Sequence, residues 1–105
     1  MPVAGTWNLS ISTPVGRIGA VVELREREGL LTGVARGADE EVPLSDITLT
    51  GDRLTWKQAI TKPLRLNLAF DVRVDGDTLQ GTSRAGRLPS SKVTGERRSQ
   101  PIRRT

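Results

Sequence analysis

The sequence predicts an all-β fold: a single small eight-stranded antiparallel up-and-down barrel, with a two-layer sandwich of the same strands as the competing arrangement. Three observations carry this expectation. Apolar and polar residues alternate with period two over most of the chain, the spacing that sets one face of a strand in a core and the other in water. Turn-forming residues recur at hairpin intervals. A pattern Thr-Trp-x-x-x-Ile-[Ser/Thr]-x-Pro occurs twice, at Thr6, Trp7, Ile11, Ser12, Pro14 and at Thr55, Trp56, Ile60, Thr61, Pro63. Each copy is followed by Leu-x-Gly-x-x-Arg, at Leu31, Gly33, Arg36 and at Leu79, Gly81, Arg84. An internal repeat of about half the chain marks a unit that cannot bury its apolar face alone. Two related four-stranded meanders, residues 4–51 and 52–98, are therefore expected to share one core about a pseudo-twofold axis, with Trp7 and Trp56 at equivalent positions. Closure is favoured over an open sheet because it removes exposed strand edges.

The expected strands run over 5–13, 17–27, 30–36, 43–50, 53–61, 64–74, 78–84 and 91–97. The first opens at Gly5-Thr6-Trp7 and stops at Pro14, which has no amide hydrogen to give a ladder. In the second, Ile18, Ala20, Val22 and Leu24 fall on the inward face. Glu28-Gly29 turns it into the third, which ends at Gly37-Ala38-Asp39. Gly51-Asp52 separates the fourth from the fifth, where Leu54, Trp56, Gln58 and Ile60 share the inner face up to the stop at Lys62-Pro63. The sixth alternates most cleanly: Leu64, Leu66, Leu68, Phe70, Val72 and Val74 point one way, Arg65, Asn67, Ala69, Asp71 and Arg73 the other. Asp75-Gly76-Asp77 and Gly86-Arg87-Leu88-Pro89 supply the last two turns, and the acidic-Gly pairs provide the positive φ that tight hairpins need. Residues 1–98 thus form one domain, and 99–105 read as a basic disordered tail.

Composition narrows the function. A chain of 105 residues has a modest core, and with aromatics at 3% that core must be Leu, Val, Ile and Ala. No run reaches the roughly 18 apolar residues of a membrane span, and Met1-Pro2-Val3-Ala4-Gly5 lacks the charge and apolar stretch of a signal peptide, so the expected location is cytoplasmic. The net charge of +4 sits in the tail: residues 97–105 carry four arginines and no acid, which leaves 12 bases and 12 acids in residues 1–96. Nucleic acid is disfavoured as a partner, since outward aromatics for base stacking are missing. Without histidine or cysteine there is no soft metal ligand and no thiolate nucleophile, so no metal and no cofactor is expected. Asp39-Glu40-Glu41 reads as a solvated loop, and Asp71 as an outer-surface partner of Arg73 or Arg25. Ser90-Ser91-Lys92 is a weak candidate for a Ser-Lys dyad.

Gly5-Thr6-Trp7 at the head of the first strand resembles the Gly-x-Trp start of the lipocalin and avidin barrels (calycin-like folds). The resemblance implies a tryptophan that plugs one barrel end beneath an arginine near the last strand, a place for Arg97 or Arg98. Over most of its length the chain also resembles a family of small bacterial barrel modules that share Gly-Thr-Trp, a Thr-Pro-x-Gly turn (Thr13-Pro14-Val15-Gly16) and Leu-x-Gly (Leu31-Thr32-Gly33, and again Leu79-Gln80-Gly81). That resemblance implies no activity.

The candidate site is interior. Gln58 is polar where the first half has Leu9, and Ser83 where it has Ala35. Polar groups on one side of an apolar enclosure suit a small apolar ligand with a polar handle, in a pocket bounded by Trp7, Trp56, Gln58 and Ser83. Arg36 and Arg84 are expected to cap the tryptophans by cation-π contact or to clamp an anion. Two rival expectations are a cofactor-free isomerase, lyase or cyclase acting inside the barrel, and a homodimeric interaction module.

Overall fold

A computed structural model describes residues 3–13, 16–37, 40–61 and 65–98. Among these residues nine strands form one antiparallel sheet: β1 (Gly5–Thr13), β2 (Gly16–Arg27), β3 (Leu30–Gly37), β4 (Glu40–Pro43), β5 (Ser45–Thr50), β6 (Arg53–Ile60), β7 (Leu66–Asp75), β8 (Thr78–Ala85) and β9 (Ser91–Arg97). Their order is β4-β3-β2-β1-β9-β8-β7-β6-β5. Consecutive strands pair throughout, with one exception, and the first and last strands pair with each other. β1 pairs with β9, from Trp7 opposite Arg97 to Ser12 opposite Lys92. β4 and β5 do not pair with each other, and they are the two edges of the sheet. The sheet rolls into a nearly closed up-and-down barrel whose seam lies between these short strands.

The strand expected over 43–50 is β5, and Glu40–Pro43, expected outside any strand apart from Pro43, form a separate strand β4, which makes nine among the described residues where eight were expected. Pro43 cannot donate to a ladder, and the chain turns at Leu44, whose amide bonds to the Gly33 carbonyl at 2.9 Å. Asp46 then adopts a φ of 51°, unusual for a residue with a side chain, and the register with β6 slips by one residue between Ser45 and Thr48. The bend lets the first segment pair with β3 and the second with β6. Two such short edges present little backbone for another chain to extend.

The period-two pattern is met along β7, where Phe70, Val72 and Val74 are buried while Asn67, Ala69, Asp71 and Arg73 are exposed. Trp7, Leu9, Val22, Leu24, Leu54, Trp56, Leu79 and Val93 join them in the core, with both indoles at 1% exposure or less. Ile18, expected inward, is 51% exposed because it lies at the open end of the barrel. The Glu28-Gly29 hairpin has positive φ at both residues (53° and 81°), the mirror-image turn whose twist matches the flanking strands. Gly33 and Gly81 occupy matching places in the two Leu-x-Gly-x-x-Arg segments. A Cβ on either would strike the carbonyl of the preceding strand, Glu23 O or Asp71 O, so these glycines let strands approach closely on a narrow barrel. The expected turn at Pro14, the acidic Asp39, the stop at Lys62-Pro63, the inward Leu64 and the tail 99–105 lie outside the described residues.

Candidate ligand-binding site

The two ends of the barrel differ because the same residue type is used differently at each. At one end β1 begins with Gly5 at a φ of 135°, and Trp7 is fully buried. The Trp7 Nε1–H donates to the Val3 carbonyl at 3.0 Å. The Arg97 guanidinium lies 4.5 Å from the centre of the indole ring. That guanidinium donates to Asp77 Oδ1 at 2.8 Å, to the Ala4 carbonyl and, at 3.4 Å, to the Gly76 carbonyl. A Cβ at Gly5 would stand 2.9 Å from the Arg97 Nη1, so the glycine of Gly-x-Trp leaves room for the arginine. Ring, cation and carbonyls close this end.

Further along the same axis the core opens into a pocket of about 640 Å³, within the range of sites for small organic molecules. Its walls are mainly apolar, with Leu9, Ile11, Val22, Leu68 and Phe70 among them, and Gln58 and Ser83 present polar groups. Ile18, Leu88, Pro89 and Lys92 frame the mouth. Position on the strands explains the arrangement. Trp56 and Gln58 are two residues apart on β6, so both face inward, Trp56 deeper and Gln58 nearer the mouth. Phe70 of β7 stands opposite both Trp56 and Ser83, which places Ser83 across β7 from the indole.

Trp56 stacks on Phe70, with ring centres 4.7 Å apart and planes 8° from parallel, and its Nε1–H donates to Gln58 Oε1 at 2.9 Å. The Gln58 carboxamide nitrogen and the Ser83 hydroxyl have no hydrogen-bond partner among the described residues, although Ser83 is only 5% exposed. Both therefore address the pocket.

The expected site is thus brought together only in part. Gln58 and Ser83 line the pocket; Trp7 and Trp56 do not. Trp7 seals the far end, and Trp56 reaches the pocket through its bond to Gln58. Arg36 and Arg84 are on the outer face, because their neighbours Ala35 and Ser83 point in and alternate residues of a strand oppose one another. The cation over a tryptophan is Arg97. Arg36, at the pocket rim, donates to Glu41 at 3.1 Å and Glu23 at 3.3 Å, and the two carboxylates raise its pKa, Glu41 foremost.

Sequence reasoning missed the role of Glu40. It is a strand residue, not a solvated loop, and its carboxylate accepts from the Thr61 amide at 2.9 Å and the Thr61 hydroxyl at 2.6 Å, tying β4 to the end of β6 across the seam. Nothing in alternation alone reveals such a bond, since it depends on which edges meet. On the outer wall Asp71 is held by Arg53 rather than by Arg73 or Arg25, through two bonds of 2.7 and 3.0 Å. The Arg53 hydrogen bond lowers the Asp71 pKa, and the Arg25 bond, with help from Arg36, lowers that of Glu23.

Among the described residues, no group of three or more acidic side chains is placed to hold a metal ion, and no helix is long and apolar enough to cross a membrane. No protein-family model, curated protein or solved structure matches the chain.

Proposed function

We propose that the protein is a binding barrel that holds a small apolar molecule carrying a polar handle, and that it is a barrel of the lipocalin and avidin kind built from two related meanders. The observation that carries the binding reading is the pocket of about 640 Å³, in which an apolar lining is interrupted by the Gln58 NH₂ group and the Ser83 hydroxyl, neither with a partner among the described residues. Apolar walls supply affinity by excluding water, and a few fixed polar groups orient the guest. The Arg97–Trp7 stack supports the structural part, since it is the feature the Gly-x-Trp resemblance implies.

Filling the pocket tests the reading. Ala35 is buried, lines the cavity and sits between Val22 and Val42 on the neighbouring strands. An apolar fluorescent dye titrated into the wild-type protein should bind with micromolar affinity, and Ala35→Phe should weaken it at least tenfold while leaving the far-ultraviolet circular dichroism unchanged. Equal dye binding by the two folded proteins would remove the pocket as the site.

A further inference from the structure

The bond between Trp56 and Gln58 fixes more than a side chain. An indole N–H donates and cannot accept, so the group facing it must be the carboxamide oxygen of Gln58. The NH₂ end is thereby turned away from Trp56, and it has no protein partner among the described residues. Trp56 cannot swing to release it, because the ring is 1% exposed and stacked on Phe70 at 4.7 Å. The pocket consequently offers its guest a hydrogen-bond donor of set orientation. An unanchored glutamine would offer a donor or an acceptor equally well.

The surroundings of that donor fix the charge of the matching group. Leu68 stands opposite Gln58, Ile60 follows it on the same face and Phe70 is the next inward residue of β7, while the charged residues Arg36, Glu40 and Lys92 border the pocket at strand ends, with Arg36 and Glu40 already bonded to protein. A carboxylate drawn to this depth would lose its hydration for one neutral donor, which is unfavourable. A neutral carbonyl loses little water and gains the bond. Resting on the binding reading above, we infer that the ligand class is neutral carbonyl compounds with an apolar body, such as ketones, esters or lactones, recognised by the Gln58 NH₂ group, with Trp56 as the residue that positions it. The Ser83 hydroxyl, which both donates and accepts, tolerates a second polar group of either kind.

The test uses four probes of equal chain length, decane, 2-decanone, 2-decanol and decanoate, each competing with the bound apolar dye. The wild type should take the ketone about five- to tenfold more tightly than the hydrocarbon, and more tightly than the alcohol and the carboxylate. The double variant Gln58→Met with Trp56→Phe, which removes both the carboxamide donor and the indole N–H it would uncover, should bind ketone and hydrocarbon alike. Trp56→Phe should keep the stack and the hydrocarbon affinity while bringing ketone and alcohol within twofold of each other, an effect that loss of packing alone would not produce. Failure of every probe to displace the dye would defeat the binding reading itself. If the probes bind but the ketone has no advantage, or keeps it in the folded double variant, or if decanoate binds tightest, the carbonyl assignment is wrong and the pocket stands.

Discussion

Trp7 and Trp56 are both buried on the inner face of the same barrel, yet their indole N–H groups serve opposite ends. Trp7 donates to a main-chain carbonyl and lies under a cation that is itself tied to the turn between β7 and β8, so every polar contact there faces back into protein. Trp56 donates to a side chain whose remaining polar atom faces a cavity. One tryptophan closes the barrel and the other supports an opening. A main-chain acceptor belongs to the sheet, whereas a side-chain acceptor has a second end to present.

The contrast is broken most severely at the sealed end. Trp7→Ala should destabilise the fold by roughly 3–5 kcal/mol, the usual cost of emptying a buried aromatic site, as read by urea denaturation. A loss below 1 kcal/mol would mean that the closed end contributes little. Arg97→Ala should cost about 2 kcal/mol, since it removes the cation over the ring and the charge-assisted bonds to Asp77 and the chain. Gln58→Leu should cost only about 1 kcal/mol, because water in the pocket can take up the Trp56 N–H. If the Gln58 change proves as costly as the Arg97 change, the two ends are alike in stability and the comparison fails.

The smallest effect belongs to neither end. Glu23 and Asp71 have pKa values depressed in the folded state by their arginine partners. Their contribution is therefore complete above the unfolded carboxylate range and is lost as pH falls through the lowered folded values. Both pairs are exposed to solvent. The acid-induced fall in melting temperature traceable to them should accordingly be slight and should shrink in 0.5 M salt. Comparison of the wild type with Asp71→Asn between pH 7 and pH 3 checks this, and a salt-independent drop of many degrees would contradict it.

Period-two alternation revealed which residues face inward along β6 and β7, and hence that both indoles and Gln58 are interior. It says nothing of height along the barrel axis. Whether a given level is filled or hollow depends on the summed side-chain volume of all the strands crossing it, which is why the tryptophans were expected around the pocket and are found below it. Parity along β3 and β8 already set Arg36 and Arg84 outside once Ala35 and Ser83 were taken as interior, and the capping role expected for them conflicted with it. The break between β4 and β5 was half visible in Pro43. The other half, an aspartate in a left-handed conformation at position 46, carries no local signal because no glycine marks it.

The ladder between β1 and β9 has a consequence for how the molecule is made. Trp7 lies opposite Arg97, so β1 has one flank without a mate until β9 has been synthesised. β2 can zip onto it at once through a short hairpin, but its other flank is met only by β9, across a far longer loop-closure distance. The barrel therefore takes its final form only once β9 has been made, and until then the nascent chain carries an unmatched apolar ribbon.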